Sequence, residues 1–184
     1  DVLENYKFEN LEYDIFFALS HGQHRGGLKR GYKDERVDFI KKINSDQIST
    51  NFFGIDRQPV WGSDFFNEIS KSKMGLNYNR GEAIKYYSSD RICSLVANGL
   101  LTFLQKGYEY EDFFEDKTHA VYYTSHEELI DKIKFYSNNF KERSAIAEKG
   151  KKQYFDLFEN TIVTKYMIDK ILEHNVNNKL SWMN

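Results

Sequence analysis

The segment KYYSSDRICSLVANGLL, residues 85–101, combines a short amphipathic stretch, a glycine and the start of an apolar run. Its spacing predicts a helix over residues 89–98, with Gly99 as the left-handed residue just beyond the helix end. The apolar run over residues 100–105 predicts a buried strand. A helix that leads through a glycine into a buried strand is typical of an α/β protein.

The same alternation extends through most of the chain. The other predicted strands cover residues 13–20, 49–55, 73–79 and 120–124. The other predicted helices cover residues 34–43, 64–70, 140–158 and 161–174, and one more begins after Ser125. Short apolar strands that alternate with helices predict a Rossmann-like, doubly wound parallel sheet covered on both faces. We expect the strand order 3-2-1-4-5, with a ligand crevice where the order reverses between strands 1 and 4.

Composition limits the classes to which the protein can belong. The chain has 184 residues, 40% of them hydrophobic, which predicts one domain over 1–184 with a polar tail at 175–184. A formal net charge of −2 argues against a broad nucleic-acid surface. The single cysteine excludes an internal disulfide and fits a reducing compartment. We therefore expect a cytoplasmic protein.

The start of the helix at residues 89–98 is rich in groups that bind anions. Ser88 and Ser89 offer hydroxyls, and Arg91 offers a forked positive charge suited to phosphate oxygens. The loop after the first strand, HGQHRGGLKR, supplies glycines and cations: Gly22, Gly26, Gly27, Arg25, Lys29 and Arg30. The two segments together predict a diphosphate site, although serine and aspartate at a helix start are also ordinary caps.

Other residues carry weaker expectations. Without a neighbouring carboxylate or cysteine, the pair His21 and His24 does not predict a metal site. Cys93 is expected to face the core as an inert thiol. Trp61 precedes a predicted helix, where it either packs as a hydrophobic staple or stacks on a nucleobase. Glu128 is expected to complete a capping box by reaching back to its N-cap.

Two long segments resemble the C-terminal half of GT-B glycosyltransferases, in particular the family-1-type, spore-coat-like bacterial group. They are KMGLNYNRGEAIKYYSSDRICSLVANGLLTFL, residues 73–104, and EDFFEDKTHAVYYTSHEELIDKIKFYSNNFKERSAIAEKGKKQYFDLF, residues 111–158. The resemblance extends over residues 13–172 and is most specific over 74–114. It implies a C-terminal domain that binds a nucleotide-sugar donor and a separate N-terminal domain that binds the acceptor.

The resemblance also assigns site residues. Ser89, Asp90 and Arg91 match the donor-side helix start, which Ser88 precedes. Gly22 and Arg25 match the loop beside the donor diphosphate, and Lys29 is a weaker match on the same loop. Many relatives place a ribose-binding glutamate three residues after the arginine, where this chain has Ser94. Ser94 is therefore the ribose-side candidate, and no catalytic residue is assigned.

The resemblance implies the transfer of a sugar from a UDP- or GDP-linked donor to a surface-glycan or lipid-linked acceptor. No cofactor, metal or nucleic acid is expected. A peripheral contact with the inner membrane face is expected, because lipid-linked acceptors lie there. Since only about twelve residues precede the first strand, we expect a chain that lacks the acceptor domain and is inactive alone. The alternative is a non-catalytic Rossmann-like module that binds a nucleotide or a protein.

Overall fold

The computed structural model describes residues 11–19, 36–45 and 47–173. Within them, the strands are β1 (Tyr13–Ala18), β2 (Thr50–Phe53), β3 (Ser72–Asn77), β4 (Leu101–Gln105) and β5 (Val121–Tyr123). The helices are α1 (Arg36–Ser45), α2 (Gly62–Ile69), α3 (Asp90–Val96), α4 (His126–Asn138), α5 (Phe140–Phe158) and α6 (Asn160–Ile171), and a 3₁₀ turn covers Tyr110–Asp112. None of the helices in these ranges combines the length and apolar character needed to cross a membrane. The tail at 175–184 lies outside the described residues.

The strands form one parallel sheet in the order β2-β1-β3-β4-β5. The expected order 3-2-1-4-5 is therefore wrong, and the reversal lies between β1 and β3. The six-residue β3 lies at the centre, and the shorter strands β2 and β5 lie at the two edges. Flavodoxin-like proteins share this order, so the order alone assigns no function.

Side chains of β1 alternate between two apolar layers. Ile15 and Phe17 pack in the cluster that contains residues of α1 and α4. Phe16 and Ala18 pack in a second cluster with Ile69 of α2 and Leu95 of α3. Because both faces of the sheet are covered, the predicted doubly wound α/β class is confirmed.

Contact with a glycine of β3 sets the position of α3. A Cβ atom at Gly75 would lie 2.6 Å from a side-chain carbon of Leu95, so only glycine allows this close approach. The helix is shorter than the predicted 89–98, but Gly99 has the expected left-handed φ of 82°. The N–H of Gly99 donates to the carbonyl of Val96 and that of Leu100 to the carbonyl of Leu95, as in a Schellman motif. The second turn of α3 is thereby fixed against β3, and the chain leads directly into β4.

The capping box of α4 forms with one change. Ser125 Oγ accepts a hydrogen bond from the N–H of Glu128, as predicted. The Glu128 carboxylate, however, accepts from the N–H and the hydroxyl of Thr124, both at 2.7 Å, and from Lys132. It does not bind the N–H of the N-cap, because Thr124 presents two donors to the same carboxylate oxygen.

Candidate functional site

A cavity of about 600 Å³ opens at the carboxyl edge of the sheet, where β1 and β3 diverge. Ala18 and Leu19, at the end of β1, line one side of it. The segment that follows β3 and the first turn of α3 line another side. The cavity therefore lies at the reversal of strand order, which is where ligands bind in doubly wound sheets.

Polar side chains at the end of β3 hold the first turn of α3. Ser89 occupies the N-cap position, but its hydroxyl donates to Oδ1 of Asn77 at 3.0 Å instead of capping the helix. Arg91 donates through one terminal nitrogen to the carbonyl of Tyr78 and to Oδ1 of Asn79, both at 3.1 Å. The guanidinium of Arg91 thus contacts the segment that follows β3.

Two arginines converge on the carbonyl of Tyr78. Arg36 of α1 donates to that oxygen at 3.3 Å, and Arg91 donates to it as well. Burial, followed by repulsion from Arg36, lowers the pKa of Arg91 to about 10. Since that value is still well above neutral pH, Arg91 stays charged, and the cavity has positive charge on this wall.

Asn79 joins this wall to a tyrosine network that the sequence did not predict. Its Nδ2 donates to the hydroxyl of Tyr110 at 3.0 Å, and that hydroxyl donates to the carbonyl of Tyr87. Tyr123 donates to the carbonyl of Asn77 at 3.4 Å. The sequence signal was the N-Y-N run at the end of an apolar strand, since an asparagine in a core needs defined partners.

The structure brings most of the predicted site residues together. Those that line the cavity are Ser88, Ser89, Asp90, Arg91 and Ser94. Asp90 is exposed, and its carboxylate adds a negative charge to a cavity that arginines also line. Gly22, Arg25 and Lys29 lie outside the described residues, as do His21 and His24. That the loop after β1 meets the start of α3 therefore stays a prediction.

The opposite wall is apolar and aromatic. Val60, Trp61 and Phe65 line it. Trp61 is the N-cap residue of α2 and is 61% exposed. The prediction that it packs as a hydrophobic staple is therefore wrong. Phe65 is held in place by an edge-to-face contact with Phe16, with ring centroids 5.3 Å apart.

Cys93 does not face the core as predicted. It is half-buried on the outer side of α3 and lines a second, mainly apolar cavity of about 500 Å³. Ile92, Leu95 and Val96 occupy the buried positions of this helix instead. Seven residues give α3 two turns only, and the core contacts of these three side chains turn Cys93 outward.

A family model described as glycosyl transferase-like matches residues 30–166, which is more than half of the chain. The chain belongs to the glycosyl transferase-like family. The resemblance to glycosyltransferases stated from the sequence is therefore confirmed. A search of curated protein sequences gave no match.

Solved structures show the same fold at low sequence identity. The crystal structure of TarM matches with a TM-score of 0.58 and 10% identity, over 88% of this chain and 36% of that one. Anabaena HepE, solved in complex with UDP, matches with a TM-score of 0.58 and 11% identity, over 86% of this chain and 40% of that one. A point mutant of S. aureus TarM, in complex with fondaparinux, alpha-GlcNAc-glycerol and UDP, matches with a TM-score of 0.58 and 12% identity. It is covered over 37% of its length, against 90% of this chain. This chain thus spans about two fifths of the length of these structures.

Proposed function

We propose that this domain binds the nucleotide-sugar donor of a glycosyltransferase, in the cavity between the ends of β1 and β3. The observation that carries the proposal is the arrangement of that cavity. Serine hydroxyls and charged arginine lie on one wall, and aromatic side chains lie on the other. Its volume of about 600 Å³ lies within the range of small-molecule sites, roughly 300–1,000 Å³.

The polar wall suits the diphosphate of the donor. Ser88 is exposed at the cavity and can donate its hydroxyl, and Arg91 provides positive charge behind it. Ser94 lies on the same wall and is the candidate for the ribose. We include Gly22, Arg25 and Lys29 from the sequence, because glycines allow close backbone approach and cations neutralise phosphate.

The donor is a UDP- or GDP-linked sugar, and the acceptor is a bacterial surface glycan or a lipid-linked glycan. Two structures of the same fold support a uridine nucleotide, since HepE and the TarM mutant were solved with UDP. We place acceptor binding in a separate domain and transfer in the cleft between the two. The described domain alone is expected to bind nucleotide without transferring sugar, close to the inner face of the membrane.

Isothermal titration calorimetry with UDP and GDP tests the proposal. The domain should bind at least one of them, and Arg91→Ala and Arg25→Ala should each abolish or strongly weaken binding. Because Arg91 also holds Asn79, Ser88→Ala serves as a second variant whose exposed hydroxyl carries no described contact. Ser144→Ala, an exchange on α5 far along the chain from the cavity, is the matched control and should bind like the wild type.

A non-catalytic module gives different results in the same experiment. In that case neither nucleotide binds, or both bind equally to the wild type and to the Arg91, Arg25 and Ser88 variants. Either result would reject the donor-site proposal.

A further inference from the structure

We propose that Trp61 is the stacking platform for the nucleobase of the ligand in this cavity. This inference rests on the proposed function, since it assigns the two ends of the same cavity to the two ends of a nucleoside diphosphate. The base lies against the wall of α2, and the phosphates lie against the wall of α3.

The exposure of Trp61 is the first observation. Burying a large apolar side chain stabilises the folded state, so a tryptophan left 61% exposed gives up much of that gain. Within the described part of the chain its indole is in no ring–ring contact, unlike Phe65 and Phe66 of the same helix, which contact each other. The fold therefore leaves the indole largely exposed at the cavity, without a ring partner in the described part of the chain.

The rigidity of the surroundings is the second observation. Trp61 is the N-cap residue of α2, with extended backbone dihedral angles of φ −143° and ψ 169°. One turn later, Phe65 packs edge to face on Phe16 of β1, and its backbone N–H donates to the carbonyl of Trp61 at 3.4 Å. The indole thus stands on a helix start tied to the central sheet, as a preorganised binding surface requires.

The polarity of the two walls is the third observation. Val60, Trp61 and Phe65 make one wall apolar, whereas Ser88, Ser89 and Arg91 make the other polar and positive. A ligand that matches both walls has a flat ring at one end and an anionic group at the other. A nucleoside diphosphate has this form, and nucleobases stack favourably on aromatic side chains.

Tryptophan fluorescence gives a direct test, because the chain contains only two tryptophans, Trp61 and Trp182. In a Trp182→Phe variant, Trp61 is the only tryptophan whose emission can change on binding. Titration of that variant with UDP should quench or shift its emission. Titration with inorganic pyrophosphate, which carries the charges without a base, should leave the emission nearly unchanged.

Affinity measurements on Trp61 variants give the second test. Trp61→Ala should lower the affinity for UDP roughly 5- to 150-fold, the range expected from loss of one stacked base. It should leave the affinity for pyrophosphate unchanged, and Trp61→Phe should keep most of the UDP affinity. Since Trp61 is largely exposed, its replacement should not lower the melting temperature.

The outcomes separate this inference from the proposed function. If the wild type binds UDP and Trp61→Ala binds it equally well, Trp61 is not the stacking platform, and the proposed donor site is unaffected. If Trp61→Ala lowers the affinity for a UDP-sugar but not that for UDP, Trp61 contacts the sugar and is not the stacking platform. If the wild type binds no nucleotide, both proposals fail.

Discussion

Single side chains determine the geometry of the cavity wall, and Asn79 connects two of them, Arg91 and Tyr110. It is 2% exposed, accepts a hydrogen bond from Arg91 and donates one to Tyr110. Replacing one partner of a buried hydrogen bond leaves the other partners unsatisfied, which costs more than the bond itself contributes. Asn79 is therefore expected to act on both stability and binding.

We predict that Asn79→Ala lowers the free energy of unfolding by about 1–3 kcal/mol and weakens UDP binding, because Arg91 loses one of the two acceptors that orient it. Urea denaturation and calorimetry measure the two effects. Asn138→Ala is the control: that exposed side chain donates one hydrogen bond, to the carbonyl of Lys134, and its loss should change stability by about 0.5 kcal/mol or less. Equal stability of both variants would contradict the role of Asn79.

The lowered pKa of Glu128 predicts that the stability of the protein depends on pH. Hydrogen bonds from Lys132, and then from Thr124, lower the pKa of its carboxyl from 4.5 to about 2. A pKa that is lower in the folded state stabilises the protein above the unfolded pKa, and this contribution disappears as the pH falls toward the folded pKa. The carboxylate is 36% exposed, so solvent reduces the effect below the full shift.

Glu128→Gln should therefore lower the urea midpoint at pH 7, and the difference from the wild type should shrink as the pH falls from about 4.5 toward 2. Urea titrations at a series of pH values measure this difference. Glu127→Gln, the neighbouring exposed carboxylate that pairs with Lys42, is the control and should change the midpoint less. A difference that stays constant down to low pH would show that the Glu128 charge is not the cause.

Among the helices, α5 shows how tertiary contact overrides local propensity. From the sequence alone, Gly150 should weaken the middle of this helix by about 1 kcal/mol relative to alanine. The helix nevertheless continues from Phe140 to Phe158. A Cβ atom at position 150 would lie 2.2 Å from the carbonyl oxygen of His119, so the glycine lets α5 pack directly on the loop before β5.

Gly150→Ala should accordingly destabilise the protein by about 1–3 kcal/mol through overpacking, even though alanine favours helix formation. Thermal or urea unfolding measures the change. Glu148→Ala, an exposed exchange two residues earlier in the same helix, should stay within about 0.5 kcal/mol of the wild type. A stabilising effect of Gly150→Ala would mean that the loop moves away at little cost.

Helix and strand positions followed from local patterns to within a few residues, since apolar spacing and caps are local properties. The helix at α3 was predicted from its polar start and from Gly99, and both are present. Its length was not, since the chain leaves the helix after Val96, where Gly99 and Leu100 donate back to the carbonyls of Val96 and Leu95. Cys93 was placed wrongly because the inward face of a two-turn helix depends on what it packs against.

The described domain is organised around one sheet, so ligand binding at its edge should stabilise it as a unit. At a UDP concentration 100 times the dissociation constant, linkage adds about 2.7 kcal/mol to the free energy of unfolding. For a chain of this size that corresponds to a rise in Tm of about 5–10 °C, at about 2–4 °C per kcal/mol. Differential scanning fluorimetry measures it, with uridine at the same concentration as the control that lacks phosphates. A rise as large with uridine as with UDP would contradict a diphosphate site.

The amino-acid sequence by itself determined the α/β class, the family, and the group of polar residues at positions 88–91 and 94 that line the cavity. These properties are encoded locally, in hydrophobic spacing, helix caps and motifs. The strand order, the exposure of Trp61 and the inward turn of Arg91 onto Tyr78 and Asn79 were decided only by the tertiary structure. They depend on contacts between segments far apart in the chain, and local patterns carry little information about which buried surfaces will meet.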